Sequence, residues 1–226
     1  MKLKILTLIL MGLTLSSCAT LSDSKKGMYM VSDPDHQLKE YLFELDQRKI
    51  EKDNIDDVRL QIEQLSGQFP THTPTLMACA VLSSEAREYA KAQSYLDHLL
   101  ALEAVNPNAV VLRSKLAIQE GNISLAKRML LNQINLAPDN PLLRETYAAA
   151  LYLGADYDEA VKSLIFAEKL GSPKGRIKYH LGLIEEARGN KNVAMAYYKS
   201  ALLAEPPFQA ASPRLNALEA ETQKTF

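Results

Sequence analysis

Alanine recurs at Ala92, Ala126, Ala160 and Ala194, each 34 residues from the last, and Val58 stands one step earlier in the same register. A period of that length means that the chain is assembled from copies of one supersecondary unit, none of which can bury its apolar side alone. The register defines five units, beginning near Lys39, Thr73, Pro107, Pro141 and Gly175. Each reads as two helices. Ahead of the second helix stand Asn54, Glu88, Asn122, Asp156 and Asn190, mostly side chains able to accept hydrogen bonds from the free N–H groups of a helix start. Past its end come Pro70, Pro107, Pro138, Pro173 and Pro206, which cannot continue a helix.

The last unit carries Leu181-Gly182, Gly189, Ala194, Tyr198, Ala201 and Pro206, and the unit before it Tyr147-Ala148, Tyr157-Asp158-Glu159-Ala160, Leu164 and Ala167. On these residues the chain resembles the tetratricopeptide-repeat family over residues 39 to 208. The resemblance implies an all-α fold, a superhelix of about five helix-turn-helix repeats of 34 residues. Small residues early in the first helix of a pair (Ala80, Ser114, Ala148, Gly182) should face small residues in the second (Ala92, Ala126, Ala160, Ala194), so that two backbones approach closely. Ile62, Leu96, Leu130, Leu164 and Tyr198 should fill the gaps between neighbours.

Departures from the pattern carry expectations of their own. Asp46 and Val58 replace small residues in the first unit, which therefore reads as a degenerate, capping-like repeat, and Gln133 stands where the third unit should have Ala. Gly154 falls one residue early for the inter-helix glycine, which predicts an altered turn. Ser212-Pro213 reads as the N-cap and first residue of a final helix, over 213–223, whose Leu215 and Leu218 would cover the last repeat's apolar face.

In the family the inner surface of the superhelix is lined by the first helices, and partners bind there. Carried over residue by residue, the groove positions are Phe43, Gln47 and Ile50; Met77, Val81 and Ser84; Val111, Lys115 and Ile118; Glu145, Ala149 and Tyr152; Tyr179, Leu183 and Glu186. The carboxylate clamp of some chaperone cofactors needs Lys, Asn and Arg at these places, and only Lys115 is basic, so that partner class is not expected. What remains is an apolar and aromatic surface of Phe43, Met77, Val81, Val111, Ile118, Tyr152, Tyr179 and Leu183, suited to the apolar face of a partner helix or strand. The competing reading of each of these residues is that it packs inside the array.

The other informative end is the first. Lys2 and Lys4 form a basic start, Ile5 to Leu15 an apolar run too short to span a bilayer, and Leu15-Ser16-Ser17-Cys18 follows directly. This layout resembles the lipobox of bacterial lipoproteins. The resemblance implies that residues 1–17 are a signal peptide, that Cys18 becomes the acylated first residue of the mature chain, and that several acyl chains hold it at the membrane. Ala19, in place of the Asp that favours inner-membrane retention in enterobacterial lipoproteins, points to the outer membrane and its periplasmic face. From Ala19 to Asp35 the chain is polar and without apolar periodicity, so residues 18–35 read as the lipidated N-terminus and a tether of roughly 20 to 25 Å, with the repeat domain over 36–226.

Removing the leader takes away two lysines and moves the formal charge from -1 to -3. Neither a nucleic-acid surface nor a polybasic lipid surface is suggested by so even a balance. Of the two cysteines only Cys79 would remain free after lipidation, so no internal disulfide can form, and an apolar helix position for it implies an inert thiol. His36, His72, His98 and His180 are far apart and belong to no metal-binding or nucleophile motif. Asp53, Asp56 and Asp57 lack the Gly and terminal Glu of a calcium loop and read as an acidic helix start. No enzyme, metal or cofactor is expected beyond the lipid on Cys18.

Lipobox, short tether, chain length and five or six repeats resemble the pilus assembly lipoproteins, both type IV pilotins and those of tight-adherence pili. That resemblance implies a scaffold whose partner is a secretin or pilus subunit. The alternative is an adaptor lipoprotein that recruits peptidoglycan hydrolases or other envelope enzymes.

Overall fold

Asparagine and proline place two of the helix starts. Pro107 and Pro141 each occupy the first helical residue, where the missing N–H has no partner to lose. Just before them, the Asn106 side chain accepts from the Ala109 N–H at 3.0 Å and the Asn140 side chain from the Leu143 N–H at 3.1 Å. The structure, a computed structural model, describes residues 33–51 and 55–224. It is built there from α1 (Pro34–Glu51), α2 (Asp56–Gln68), α3 (Thr73–Glu85), α4 (Tyr89–Leu102), α5 (Pro107–Gln119), α6 (Ile123–Leu136), α7 (Pro141–Leu153), α8 (Tyr157–Lys169), α9 (Lys174–Ala187), α10 (Lys191–Leu202) and α11 (Ala211–Lys224). The leader, Cys18, Asn54 and the chain up to residue 32 lie outside the described residues. No described helix is long and apolar enough to cross a membrane.

The chain divides into two units, Met1–Ala104 and Val105–Phe226. In the first, α1 packs on α2, α2 on α3 and α3 on α4. Leu38, Leu42 and Leu45 of α1, spaced to share one helix face, meet Val58, Ile62 and Leu65 of α2 and Ala78, Cys79 and Leu82 of α3. In the second unit the pairs α5–α6, α7–α8 and α9–α10 follow one another, and α11 closes on α10. The small residues expected at the helix contacts are buried in every pair, from Ala80 and Ala92 to Gly182 and Ala194. The gap-fillers Ile62, Leu96, Leu130, Leu164 and Tyr198 are 0 to 1% exposed. Each such side chain contributes about 1.5–3 kcal/mol by leaving water.

Three boundaries differ from expectation. The first helix begins at Pro34, not Lys39, because Asp33 supplies a start signal: its side chain accepts from the Asp35 N–H at 3.1 Å and its carbonyl from the Gln37 N–H. Pro34 and Asp35, expected in the segment before the repeats, are thus helical. The final helix begins at Ala211, so Ser212 and Pro213 lie in its first turn. Of the residues expected to cap the second helices, Asn122 does so, accepting from the Leu125 N–H at 3.1 Å. Glu88, Asp156 and Asn190 do not, because their side chains meet Arg59, Lys127 and Glu185. For Glu88 and Asp156, an ion pair with the neighbouring helix outcompetes a local cap.

The turn at Gly154 is not altered. Arg87, Gly121, Ala155 and Gly189 hold the same place in four successive units, and all four have left-handed backbones, with φ of 64°, 80°, 59° and 82°. Each turn closes with the same two hydrogen bonds, as in Ala155 N–H to Tyr152 O and Asp156 N–H to Leu151 O. The left-handed residue is thus Ala155 rather than Gly154, and the L side chains of Arg87 and Ala155 are strained there by roughly 1–2 kcal/mol. Glycine relieves that strain but adds unfolded-state entropy. Arg87→Gly should therefore stabilise the first unit, and Ala155→Gly the second, each by about 0.5–1 kcal/mol. Chemical denaturation of each variant against the parent measures this; a loss of stability would show that the turn is not strained.

Candidate partner-binding face

The first helices of the pairs carry the residues expected to meet a partner, and the structure sorts them. On α1, Phe43 is 68% exposed and Gln47 is exposed. The Ile50 side chain lies outside the described residues. On α3, Met77 and Ser84 are half-buried, but Val81 is only 5% exposed. On α5, Val111 is 4% exposed, while Ile118 is half-buried and Lys115 exposed. Val81 and Val111 offer a partner almost no surface, and the expectation for both is corrected. The reason is that α3 and α5 are apolar on more than one face: Leu76, Ala78, Cys79, Ala80 and Leu82 are buried around Val81, as are Ala109, Val110 and Ser114 beside Val111.

Tyr179 and Leu183 of α9 are half-buried for a different reason. The Tyr179 ring lies 5.9 Å from Tyr198, 5.4 Å from His180 and 5.1 Å from Phe208, and Leu183 packs with it against the core that α10 and α11 share. Glu186 accepts from the Tyr198 hydroxyl at 2.5 Å and from Arg214 of α11 at 2.9 Å. The carboxylate holds the phenolic proton in place, so burial and Glu186 both push the Tyr198 pKa upward. The C-terminal segment thus engages all three α9 positions. Tyr152, half-buried on α7, stands 6.0 Å from the Tyr157 ring. Ile118, Ala149 and Tyr152 remain as partly open apolar positions of α5 and α7.

Beside them is a charged group that the sequence did not announce. Glu145 of α7, 9% exposed, accepts from Ser172 Oγ at 2.5 Å and from Arg176 Nη2 at 2.7 Å, with Arg176 Nε 2.6 Å from its second oxygen. Arg176 and His180 stand one turn apart on α9, and Lys115 is on α5, which packs on α7. Loss of water lowers the Lys115 and His180 pKa values, with Glu145 pulling each up and Arg176 pushing each down. By surface area Lys115 is an exposed residue. The sequence signal that could have found this group is Arg176 followed by His180 at four residues, in the unit after Glu145.

The remaining titratable groups are scattered. His36 faces Glu40, and His72 joins Thr75 and Asp35. Asp56 and Asp57 start α2, and Asp53 lies outside the described residues. Cys79 is 1% exposed, its Sγ 3.6 Å from the Ile62 carbonyl, and burial pushes its thiol up to about 11. Such a thiol is protonated and inert at neutral pH. Among the described residues no three His, Cys, Asp or Glu side chains are grouped to hold a metal ion.

No protein-family model and no curated protein sequence matches the chain. Solved structures do. A thermophilic tetratricopeptide-repeat protein of Thermus thermophilus superposes with a TM-score of 0.66 at 17% identity, covering 83% of this chain and 100% of its own. A tetratricopeptide repeat protein from Parabacteroides merdae gives a TM-score of 0.63 at 16% identity, over 84% and 72%. YrrB, described as a TPR protein with an unusual peptide-binding site, gives 0.58 at 13%, over 80% and 88%. Likeness at such low identity carries the fold alone: this chain is an all-α protein built of helix-turn-helix repeats of the tetratricopeptide kind.

Proposed function

We propose that this chain is a lipid-anchored scaffold on the periplasmic face of the bacterial outer membrane, where it holds a protein partner during assembly of a pilus or secretion machine. The observation that carries the scaffold reading is the division of labour within the pairs. The close helix contacts are filled by Ala126, Ala160 and Ala194 and their buried neighbours, while Ile118, Ala149, Tyr152 and Lys115 of the first helices keep open surface. An open apolar position beside charged groups is what a partner segment needs, apolar for affinity and polar for orientation. The peptide-binding site ascribed to YrrB on the same fold supports the same reading.

The anchor rests on Lys2, Lys4, the apolar run and Leu15-Ser16-Ser17-Cys18. Acylation at Cys18 would hold the scaffold at the membrane and raise its effective concentration near a client, so modest affinity would suffice. Crosslinking and affinity capture from native membranes tests the reading. The parent should fractionate with the membrane and capture a secretin or pilus subunit, Cys18→Ala should move to the soluble fraction, and Ile118→Ala with Tyr152→Ala should weaken capture severalfold at unchanged helix content. Recovery of peptidoglycan hydrolases instead would make the chain an adaptor for those enzymes. A soluble parent would remove the anchor.

A further inference from the structure

The large apolar side chains left open on the helices of the second unit do not sit where the groove positions would put them. Among the described residues, Leu131, Leu136, Ile165, Phe166 and Val193 belong to the second helices of the pairs, and Leu153 alone to a first helix. Leu131 lines a cleft of about 430 Å³. Arg128 and Asn132 of α6 share that wall with it, Asp156 and Glu159 at the start of α8 form the other, and Tyr147 and Leu151 of α7 lie between them. Leu131 is 44% exposed and Tyr147 half-buried, which makes α7 the floor. Arg144, Tyr147 and Leu151, three and four residues apart, share one face of α7, so the floor leads on to Arg144 one turn away. There Phe166 of α8, 51% exposed, carries two cations on its ring: Arg144 Cζ lies 5.2 Å from the ring centre and Lys169 Nζ 5.6 Å.

Charge decides what such a face can receive. Every carboxylate of α7 and α8, together with Asp156, is already matched: Glu145 by Arg176, Asp156 by Lys127, Asp158 by Arg188, Glu159 by Lys162 and Glu168 by Lys178. Helix α6 has no acidic residue. Arg128, Arg144 and Lys169 have no carboxylate within salt-bridge distance among the described residues, and Arg144 Nε is buried without a hydrogen-bond partner. Asp139, in the loop between α6 and α7, is the one acid left over in this stretch. Three free cations thus stand against one free anion, with two of the cations on a single ring. An arriving anion relieves their repulsion and gains charge-assisted hydrogen bonds.

We infer that the second-helix face of α6 and α8 is a docking surface for an acidic amphipathic helix of a partner protein. An apolar side chain of that helix enters the cleft against Leu131 and Tyr147, and carboxylates one turn further along it meet Arg144 and Lys169 beside Phe166, with Arg128 on the α6 wall. One turn separates Tyr147 from Arg144, and residues three and four apart on the partner helix span the same rise. A lipid surface is flat on this scale and would bridge the cleft rather than fill it. A strand finds no sheet edge among the described residues, which are all helix and loop. This face uses other helices and other side chains than the first-helix surface proposed above, so the two can fail separately.

Two alanine-based helical peptides of about 16 residues test it. They are identical except that one carries Glu, and the other Gln, at the third and fourth positions after a central Leu. Each is titrated by NMR into the full chain. The Glu peptide should bind roughly tenfold more tightly, moving the signals of Leu131, Tyr147 and Phe166 more than those of Ile118 and Tyr152. Arg128→Gln with Lys169→Gln, both at exposed positions, should remove most of the preference at unchanged helix content, and Arg128→Lys with Lys169→Arg should keep it. Leu131→Asp should stop both peptides from binding. Equal affinities, no binding up to about 10 mM, a preference that survives the double Gln variant, or movement confined to the first helices overturns the inference. So does a response of the same signals to phosphatidylglycerol vesicles and not to the Glu peptide, which would make this a lipid-facing surface. Membrane capture that Ile118→Ala with Tyr152→Ala leaves unchanged would instead strike the first-helix surface and leave this one standing.

Discussion

Gly182→Ala is expected to destabilise the second unit by about 2–3 kcal/mol and to lower its melting temperature by roughly 10 °C. A Cβ at this position would lie 2.5 Å from Tyr198 Cε1 and 2.7 Å from Cδ1, far inside van der Waals contact. Those atoms are part of a ring that is 0% exposed and tied by its hydroxyl to Glu186, so the ring cannot swing aside. Alanine gains about 1 kcal/mol of helix propensity over glycine, which is smaller than the cost of overpacking. The preceding pair shows the way out: there Ala148 stands in the register of Gly182 and Leu164 in that of Tyr198, both buried. Tyr198→Leu should therefore rescue Gly182→Ala while being harmful alone, a coupling that a double-mutant cycle reads directly. If the two losses simply add, the glycine is not there to admit the tyrosine.

Glu145→Ala is the second large effect, expected to cost about 2–3 kcal/mol. It leaves Ser172, 5% exposed, without its acceptor and Arg176 without its counter-ion. The full cost of a broken buried pair, about 3–5 kcal/mol, does not apply, because the Arg176 side chain is 37% exposed and water can reach it. Glu145→Leu with Arg176→Met should recover most of the loss, since neither charge then remains to be solvated. Urea denaturation of these variants decides it: a Glu145→Ala protein as stable as the parent would mean that the pair orients Arg176 without stabilising the fold.

Much of the fold was legible because backbone contacts dictate residue size. Where the helices of a pair touch, Ala, Gly or Ser stands in four of the five units and Val58 in the first, so a spacing of 34 residues between alanines is a direct trace of the helix pairs. The left-handed turn was not legible, because the packing of the helices on either side imposes it whether glycine, arginine or alanine stands there. Prolines and asparagines marked helix starts well, but Glu88 and Asp156 could equally serve as caps or as partners of a cation on the neighbouring helix, and the sequence does not choose. The partner-facing residues were legible only in part. Met77, Val81 and Cys79 are alike as apolar side chains on one short helix, and only the packing shows that Met77 keeps some surface and Val81 does not. The Glu145–Arg176 pair joins residues 31 apart with no motif between them.

A stack of similar modules has an inherent hazard, since its last module offers the same apolar seat that every earlier one used to receive its successor. Here α11 fills that seat with Ala211, Leu215 and Leu218, pinned at its rim by Lys191–Glu221, Lys199–Glu219 and Arg214–Glu186, and turns Asn216, Ala217, Ala220 and Gln223 to solvent. Those outward residues are small or hydrophilic and offer nothing for another chain to stack upon. The final helix therefore closes that seat, so that no open copy of it is left at this end for the module of another chain to occupy.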